Sequence, residues 1–575
     1  MAMSAAITWE FNASATANMV GGGGFVTDAT GTDFSRYTTA TAIEAAYPAL
    51  GKFSGTDLAC ADGDVNPSVI TSATHNFVAT DVGNVIHITA GAGYTVGWYQ
   101  IVSCAANAAT LDRAVGTDGA KTDGTWYLGG ALSLNSTLDD EFFDQLVAGQ
   151  KVYFLKGAYT LGEAVSAAVN GTSQLPIFIT GYTGTRDTAC NGLDRPSIAG
   201  GENQFRMGQY TRIRNFISTS TATYGFCSVN YSQQINCKII NLGTTTSNTA
   251  TGGATGINIL NCEIIFPAGI GVYVASGMTL SGNYIHHCRI GLYYSGVGIV
   301  TNNIIANINT TGISLSIANG GFINNVIYGS ESKIGTGINM AANYNQYFCN
   351  NIIYGFVTGI SATAADTQTY IDYNNLYNNT TPVSNVTELS NDITVDPLFT
   401  NAAGTLIDNC ETQWSYADGD VTLTADPTIY KVGAKSMKAV CAATLGAGDI
   451  ACANAIASTN MSTYNGIGIW VYSTVALAAG DWQFLLSDQA NCANIILAYN
   501  LPAMSATTWY WFYLDGGDMS TATAIISIGF KQVVDKGVMT LYADDIRGCN
   551  NDFSLQAGSG CIDTGFSYCK PLGNG

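Results

Sequence analysis

Charge is scarce in this 575-residue chain: Asp, Glu, Lys and Arg together make up 11% of it. Lys and Glu, which cover long surface helices, are few, whereas Gly, Asn, Thr, Ser and Tyr abound. Strands and tight turns are therefore the expected elements. The net charge of −20 repels phosphate backbones and argues against a nucleic-acid partner. No run of about 18 apolar residues occurs, so no transmembrane helix is expected. Residues 1–15 lack a basic stretch followed by an apolar one, so no Sec signal is expected and the chain would be made and folded in a cytoplasm. The fifteen cysteines include no CxxC pair, which excludes zinc-finger spacing. Most are expected as small buried hydrophobes. Cys410 and Cys549, which bracket one segment, are open to a disulfide or to free thiols. No P-loop, dinucleotide fingerprint or Ser-His-Asp arrangement is present.

What is present is a repeat. The motif Asn/Cys-x-Ile/Tyr begins at Asn215, Cys237, Cys262, Asn283, Asn303, Asn325, Asn351 and Asn375, at intervals of 22, 25, 21, 20, 22, 26 and 24 residues. A Gly-apolar pair precedes most of these, as at Gly271-Val272, Gly291-Leu292, Gly312-Ile313, Gly337-Ile338 and Gly359-Ile360. Short strands recurring at this spacing stack coil upon coil at about 4.8 Å. Each Asn is expected at a bend, where it tolerates left-handed geometry and can join a ladder of stacked side chains. The expected fold from about Met207 to Phe399 is a right-handed parallel β-helix. The repeat resembles the pectate-lyase-like β-helix family, a likeness of architecture that implies no activity by itself.

The flanks extend the reading. Lys151-Val-Tyr-Phe-Leu-Lys-Gly-Ala-Tyr looks like a first coil, which starts the β-helix near Gln150. Residues 65–128 read as short strands between Gly turns, a small β-domain. This block, together with Ile7-Thr-Trp-Glu-Phe-Asn, Gly21–Gly24 and Gly31-Thr-Asp-Phe-Ser, resembles the N-terminal parts of tailed-bacteriophage virion proteins. Val395-Asp-Pro-Leu-Phe and Asp552-Phe-Ser-Leu-Gln-Ala-Gly read as one terminal element split by an insertion. The domains expected are an N-terminal arm and β-domain (1–149), the β-helix (150–405), an inserted β-sandwich (406–550) and a final coil with tail (551–575).

The insertion holds five of the eight tryptophans and alternates as strands, for example Trp509-Tyr-Trp-Phe-Tyr-Leu. Its Cys410-Glu-Thr-Gln-Trp, Val432-Gly-Ala-Lys-Ser-Met-Lys and Tyr542-Ala-Asp-Asp-Ile resemble the jelly-roll carbohydrate-binding modules. Within 509–514 the pleat separates Trp509, Trp511 and Tyr513 from Tyr510, Phe512 and Leu514. One set lines the core. The other either stacks on sugar rings or lies beneath loops. Trp509, Trp511, Tyr513 and Trp482 are the candidate glycan contacts. Glu411 with Asp544 or Asp545 either offers oxygen ligands to a structural Ca²⁺ or is ordinary surface charge; no other cofactor is expected.

Catalysis by a β-helix enzyme needs paired carboxylates or a basic group with acidic support. Between Gln209 and Ala365 the only acids are Glu263 and Glu331, at different points of the coil, and His286, His287 and Arg289 are expected to lack acidic partners. No catalytic residue is assigned. The resemblances imply a structural protein of a tailed-phage virion: a spike, fibre or head decoration, self-associating as a homotrimer. It would contact capsid or tail proteins and display a glycan-binding domain outward. The alternatives are a polysaccharide lyase or glycoside hydrolase with an appended binding module, and a cell-surface adhesin.

Overall fold

The computed structural model describes residues 8–11, 13 and 54–561, except 83–84, 129–131, 133–141, 184–189, 191–193, 203, 223–225, 317–318, 330–332, 334, 342–344, 388–390, 402–403, 515–518, 550–551, 557–558 and 560. Gly21–Gly24, the Gly31 block, Glu331 and most of the C-terminal tail lie outside the described residues.

The chain is all-β, built on a parallel β-helix. One sheet has eleven strands, ordered from Thr8–Phe11 through Lys151–Leu155 to Tyr370–Asp372; a second has nine, from Ala158–Thr160 to Ile352–Tyr354; a third has seven, from Thr249–Gly252 to Thr381–Ser384. Every pairing within these sheets is parallel and joins one coil to the next, as at Ile264↔Ile285↔Ile305↔Ile327↔Ile353. The inward column of the second sheet is therefore a stack of fully buried isoleucines, Ile239 to Ile353. Thr8–Phe11, far outside the expected β-helix, pairs in parallel with Lys151–Leu155 and adds a rung to its N-terminal end.

The asparagine motif proves to be two columns. Asn283, Asn303, Asn325, Asn351 and Asn374 are buried, and the side-chain oxygens of the last four each accept both the backbone N–H and the side-chain N–H of the Asn one coil earlier, at 2.8–3.0 Å. Cys262 and Cys237 continue this ladder backwards, with Cys262 N–H donating to Asn283. Asp392 closes the other end by accepting from Asn374. The left-handed bend belongs to the preceding residue: Asn236, Asn261, Asn302, Asn324 and Asn350 have φ of 52–58°, and Gly282 takes that place before Asn283. In the last coil the ladder residue is Asn374, one position before the motif's Asn375.

A closed antiparallel barrel of six strands, Ser54–Cys60 to Lys121–Leu128, precedes the solenoid. Near its other end, Phe399–Asn401 pairs antiparallel with Asp552–Leu555, so the chain leaves and re-enters the β-helix side by side. Between them lies a two-sheet sandwich. One sheet runs in the order Val421–Asp426, Ser436–Cys441, Met539–Gly548, Ile467–Ser473, Trp509–Leu514. The other runs Tyr416–Ala417, Ile450–Thr459, Ile525–Gln532, Trp482–Ser487, Ile495–Asn500. Trp414, Trp482, Phe484, Phe512 and Phe530 fill the space between the sheets. Cys410 and Cys549 are not joined by a disulfide and fall in separate apolar clusters.

Candidate functional site

The second solenoid sheet breaks the pleat's usual alternation. Its outward residues Ile265, His286, Ala306, Tyr328 and Tyr354 are all buried. Two pieces of chain cover them. Phe399 and Phe553 of the antiparallel ribbon pack on Ala306, Tyr328 and Tyr354. Tyr513 and Cys549 of the sandwich pack on Ile265 and Ile240. The sandwich is thus laid against the flank of the β-helix rather than held away from it.

At this seam the structure gathers a polar cluster. Glu263 and His286 are one coil apart, and His286 Nε2 lies 3.2 Å from Glu263 Oε1; Lys238, one coil earlier, lies 3.3 Å from the same oxygen. Sequence reasoning gave the histidines no acidic partner. The correction is geometric: successive coils lie side by side, so Lys238 stands in register with Glu263, and His286, two positions beyond Glu263's partner Tyr284, still reaches it, whatever their distance along the chain. Burial alone would raise the Glu263 carboxyl, but the His286 hydrogen bond and the Lys238 charge outweigh it and hold it at about 2. His287 is fully enclosed. Its Nδ1 lies 2.7 Å from His286 Nδ1, its ring stacks on Tyr513 (4.7 Å, 20°) and Trp511 (5.8 Å, 10°), and its Nε2 has no partner among the described residues. Burial, aided by His286, holds it well below the ordinary histidine range.

These contacts change the standing of the four candidate aromatics. Trp482 is 0% exposed in the sandwich core, so its ring has no face to offer a sugar. Tyr513 is buried in the seam and Trp511 is stacked on His287 beside it, so both serve docking in this arrangement. Trp509 alone of the four lies clear of both the sandwich core and the seam contacts. It belongs to a row that crosses the docked sheet in register, Lys438↔Tyr542↔Tyr472↔Trp509. The rings of Tyr542, Tyr472 and Trp509 lie 5.3–6.5 Å apart, with Tyr472 and Trp509 partly exposed. Lys438 closes the row, paired with Asp426 at 2.8 Å. Beside it, Lys431 Nζ sits 4.5 Å above the Trp470 ring. Tyr472 and Tyr542 escaped the sequence reading because cross-strand register, not position within one strand, puts them beside Trp509.

The three candidate metal ligands also divide. Asp544 and Glu411 close on one turn: Asp544 Oδ2 accepts N–H from Lys431 and Val432, and Glu411 Oε1 accepts from Ala434. Gly433 is needed between them, since a Cβ there would collide with Glu411 Oε1 and φ is +71°. Asp544 Oδ1 is buried without a partner, and burial pushes this carboxyl up to about 6 against its two amide bonds. Asp545, displaced by a backbone irregularity with φ of 45°, turns to Arg547 at 2.9 Å and leaves the set. The orphaned Asp544 oxygen is an atom of the kind a hard cation takes. Among the described residues, a group of three acids drawn within 4.8 Å occurs on the barrel, at Asp62, Asp64 and Asp118.

No family model matches the chain, and no curated protein does. Among solved structures it is similar to an alginate lyase from Paenibacillus sp. str. FPU-7, at 14% identity over 45% of this chain and 98% of that one, TM-score 0.32. It is also similar to the enzymatically active domain of tailspike protein 4 of bacteriophage CBA120, at 12% over 87% and 76%, TM-score 0.26. A family 30 carbohydrate-binding module of Clostridium thermocellum is 12% identical over 26% of this chain and 98% of its own, TM-score 0.18. In architecture the protein is a parallel β-helix with a barrel before it and a β-sandwich docked on its flank.

Proposed function

We propose that this is a glycan-binding protein in which the β-helix is the rigid support and the outer face of the sandwich is the recognition surface. The observation that carries the proposal is the register row Tyr542–Tyr472–Trp509. Tyr472 and Trp509, partly exposed on the face of a sheet turned away from its core and backed by the buried Tyr542, present flat apolar surfaces edged by Lys438 and Lys431, the surface that a pyranose stacks on. Affinity electrophoresis of the full chain in gels containing neutral and acidic polysaccharides tests this. Wild type should be retarded by at least one glycan. Trp509→Ala and Tyr472→Ala should each weaken binding about tenfold, about 1.4 kcal/mol, without loss of fold. Retardation by none, or unchanged retardation of both variants, overturns it.

We further propose the setting: a homotrimeric virion protein of a tailed phage, joined to other particle proteins. The charge-poor solenoid and the N-terminal sequence blocks support this reading. Mass spectrometry and electron microscopy of purified particles test it; a stable monomer never found on particles overturns it. An enzymatic alternative built on Glu263, His286 and Lys238 would have the ring stack of Trp511 and Tyr513 on His287 against its flank. For Ca²⁺ we propose Glu411 and Asp544 as ligands. Calcium should raise the melting temperature of the sandwich in wild type but not in Glu411→Gln, read by calorimetry with and without chelator.

A further inference from the structure

We infer that the sandwich is clamped to the β-helix through a neutral His287 and that acid releases the clamp. The order of protons along the cluster follows from its ends. An ionised Glu263 accepts from His286 Nε2–H. With His286 charged, its Nδ1–H occupies His287 Nδ1 and a second cation in contact with the first is refused; with His286 neutral, its Nδ1 accepts from His287 Nδ1–H, which leaves His287 Nε2 as a bare lone pair, buried and without a partner among the described residues, between the solenoid and Trp511. A proton added there would be a buried cation whose new N–H has no acceptor, and that favours any state in which water can reach the ring.

The other charged and titratable groups facing the seam do not offset this. From the β-helix these are Lys238, Glu263, Tyr284 and His286. Lys238 already neutralises Glu263 and lies 6.0 Å from the Tyr513 ring. Tyr284 stacks on His286, and burial pushes its hydroxyl well up. From the sandwich they are Tyr513, Cys549 and the Asp545–Arg547 pair, already matched with each other. Arg289, two residues beyond His287, donates to the Thr246 carbonyl. The apolar part of the seam is small: Ile265, Tyr513, Cys549 and the neighbouring Ile240. One imidazole can therefore tip it.

The sign is fixed by the depressed docked value. Docking is at full strength above about pH 6.5, where an undocked histidine is neutral. Below that, the undocked state takes up a proton that the docked state refuses, so docking weakens by up to about tenfold per pH unit. Release leaves the sandwich tethered by the Phe399–Asn401 and Asp552–Leu555 ribbon. It also frees Trp511 and Tyr513, which lie on the same face as Trp509; this consequence rests on the glycan-binding reading.

The test is hydrogen exchange on the full chain at pH 7.5 and 5.0, corrected for intrinsic rates. Peptides covering 284–288 and 509–514 should lose protection together at pH 5.0, while the inward isoleucine coils keep theirs. The chain has four histidines, so ¹⁵N-histidine labelling follows His287 directly in wild type; its ring should stay neutral while docked. His287→Phe keeps the stack and cannot take a proton, and should hold both peptides protected at either pH. Equal protection of wild type at the two pH values, or a His287 that titrates near 6.5 while docked, overturns the inference, and neither result needs the variant to fold. Glycan binding read alongside separates the two ideas. Acid-induced release without binding at any pH sinks the proposed function alone; binding without release sinks the clamp alone.

Discussion

The β-helix and the sandwich bury similar residues in opposite ways. In the solenoid each coil touches only the next, so its core is a sum of short-range stacks, Ile on Ile and Asn on Asn. In the sandwich two sheets meet face to face, and strands far apart in the chain close on single large side chains such as Trp482 and Phe530. Damage in the solenoid should stay local, whereas damage in the sandwich should be shared by the whole domain. The same contrast governs function. Between Gln209 and Ala365 the solenoid carries two acids, and one of them, Glu263, lies at the seam. The sandwich carries the aromatic row, in which Tyr472 and Trp509 are partly exposed.

The sharpest way to break this comparison is Trp482→Ala. Removing a wholly buried indole should cost the sandwich about 3–5 kcal/mol and lower its calorimetric transition while that of the β-helix stays in place. A single transition that moves as one would show that the two regions are one cooperative unit. Next is the pH dependence at Asp544, measured in chelator. A carboxyl held near 6 keeps its proton in the folded state where an unfolded Asp has lost it. Sandwich stability should therefore fall as pH rises from about 4 to 6, by up to about 3 kcal/mol, and Asp544→Asn should flatten the profile. In the solenoid, Asn325→Ala removes the acceptor for two donors of Asn303. The expected loss is about 1–3 kcal/mol for each group left unpaired, with exchange protection falling most in the adjoining coils. The smallest effect belongs to Trp509→Ala: about 0.5 kcal/mol or less in melting experiments, since the ring is partly exposed, against its larger loss of binding.

Much of the solenoid could be read from the chain. The spacing from Cys237 to Asn351 locates the coils, because a parallel stack needs matching residues at matching points. The reading slipped by one residue at Asn375, where the motif and the ladder part company, and it merged the bend Asn with the ladder Asn because both lie within one short run. In the candidate site, alternation placed Trp509, Trp511 and Tyr513 on one face, with Phe512 and Leu514 opposite in the core. It was silent on what covers that face. Trp482 was misjudged because a tryptophan on a strand looks the same in sequence whether its side of the pleat meets the other sheet or solvent.

The sequence by itself determined the repeat, the strands and which side chains share a face, since these follow from local periods of the backbone. Only the tertiary structure decided which faces stay open. Glu263 meets His286 because two coils stack, and His287 meets Trp511 because an inserted domain folds back onto the solenoid. Those contacts depend on where distant segments come to rest, and no period of the chain encodes that.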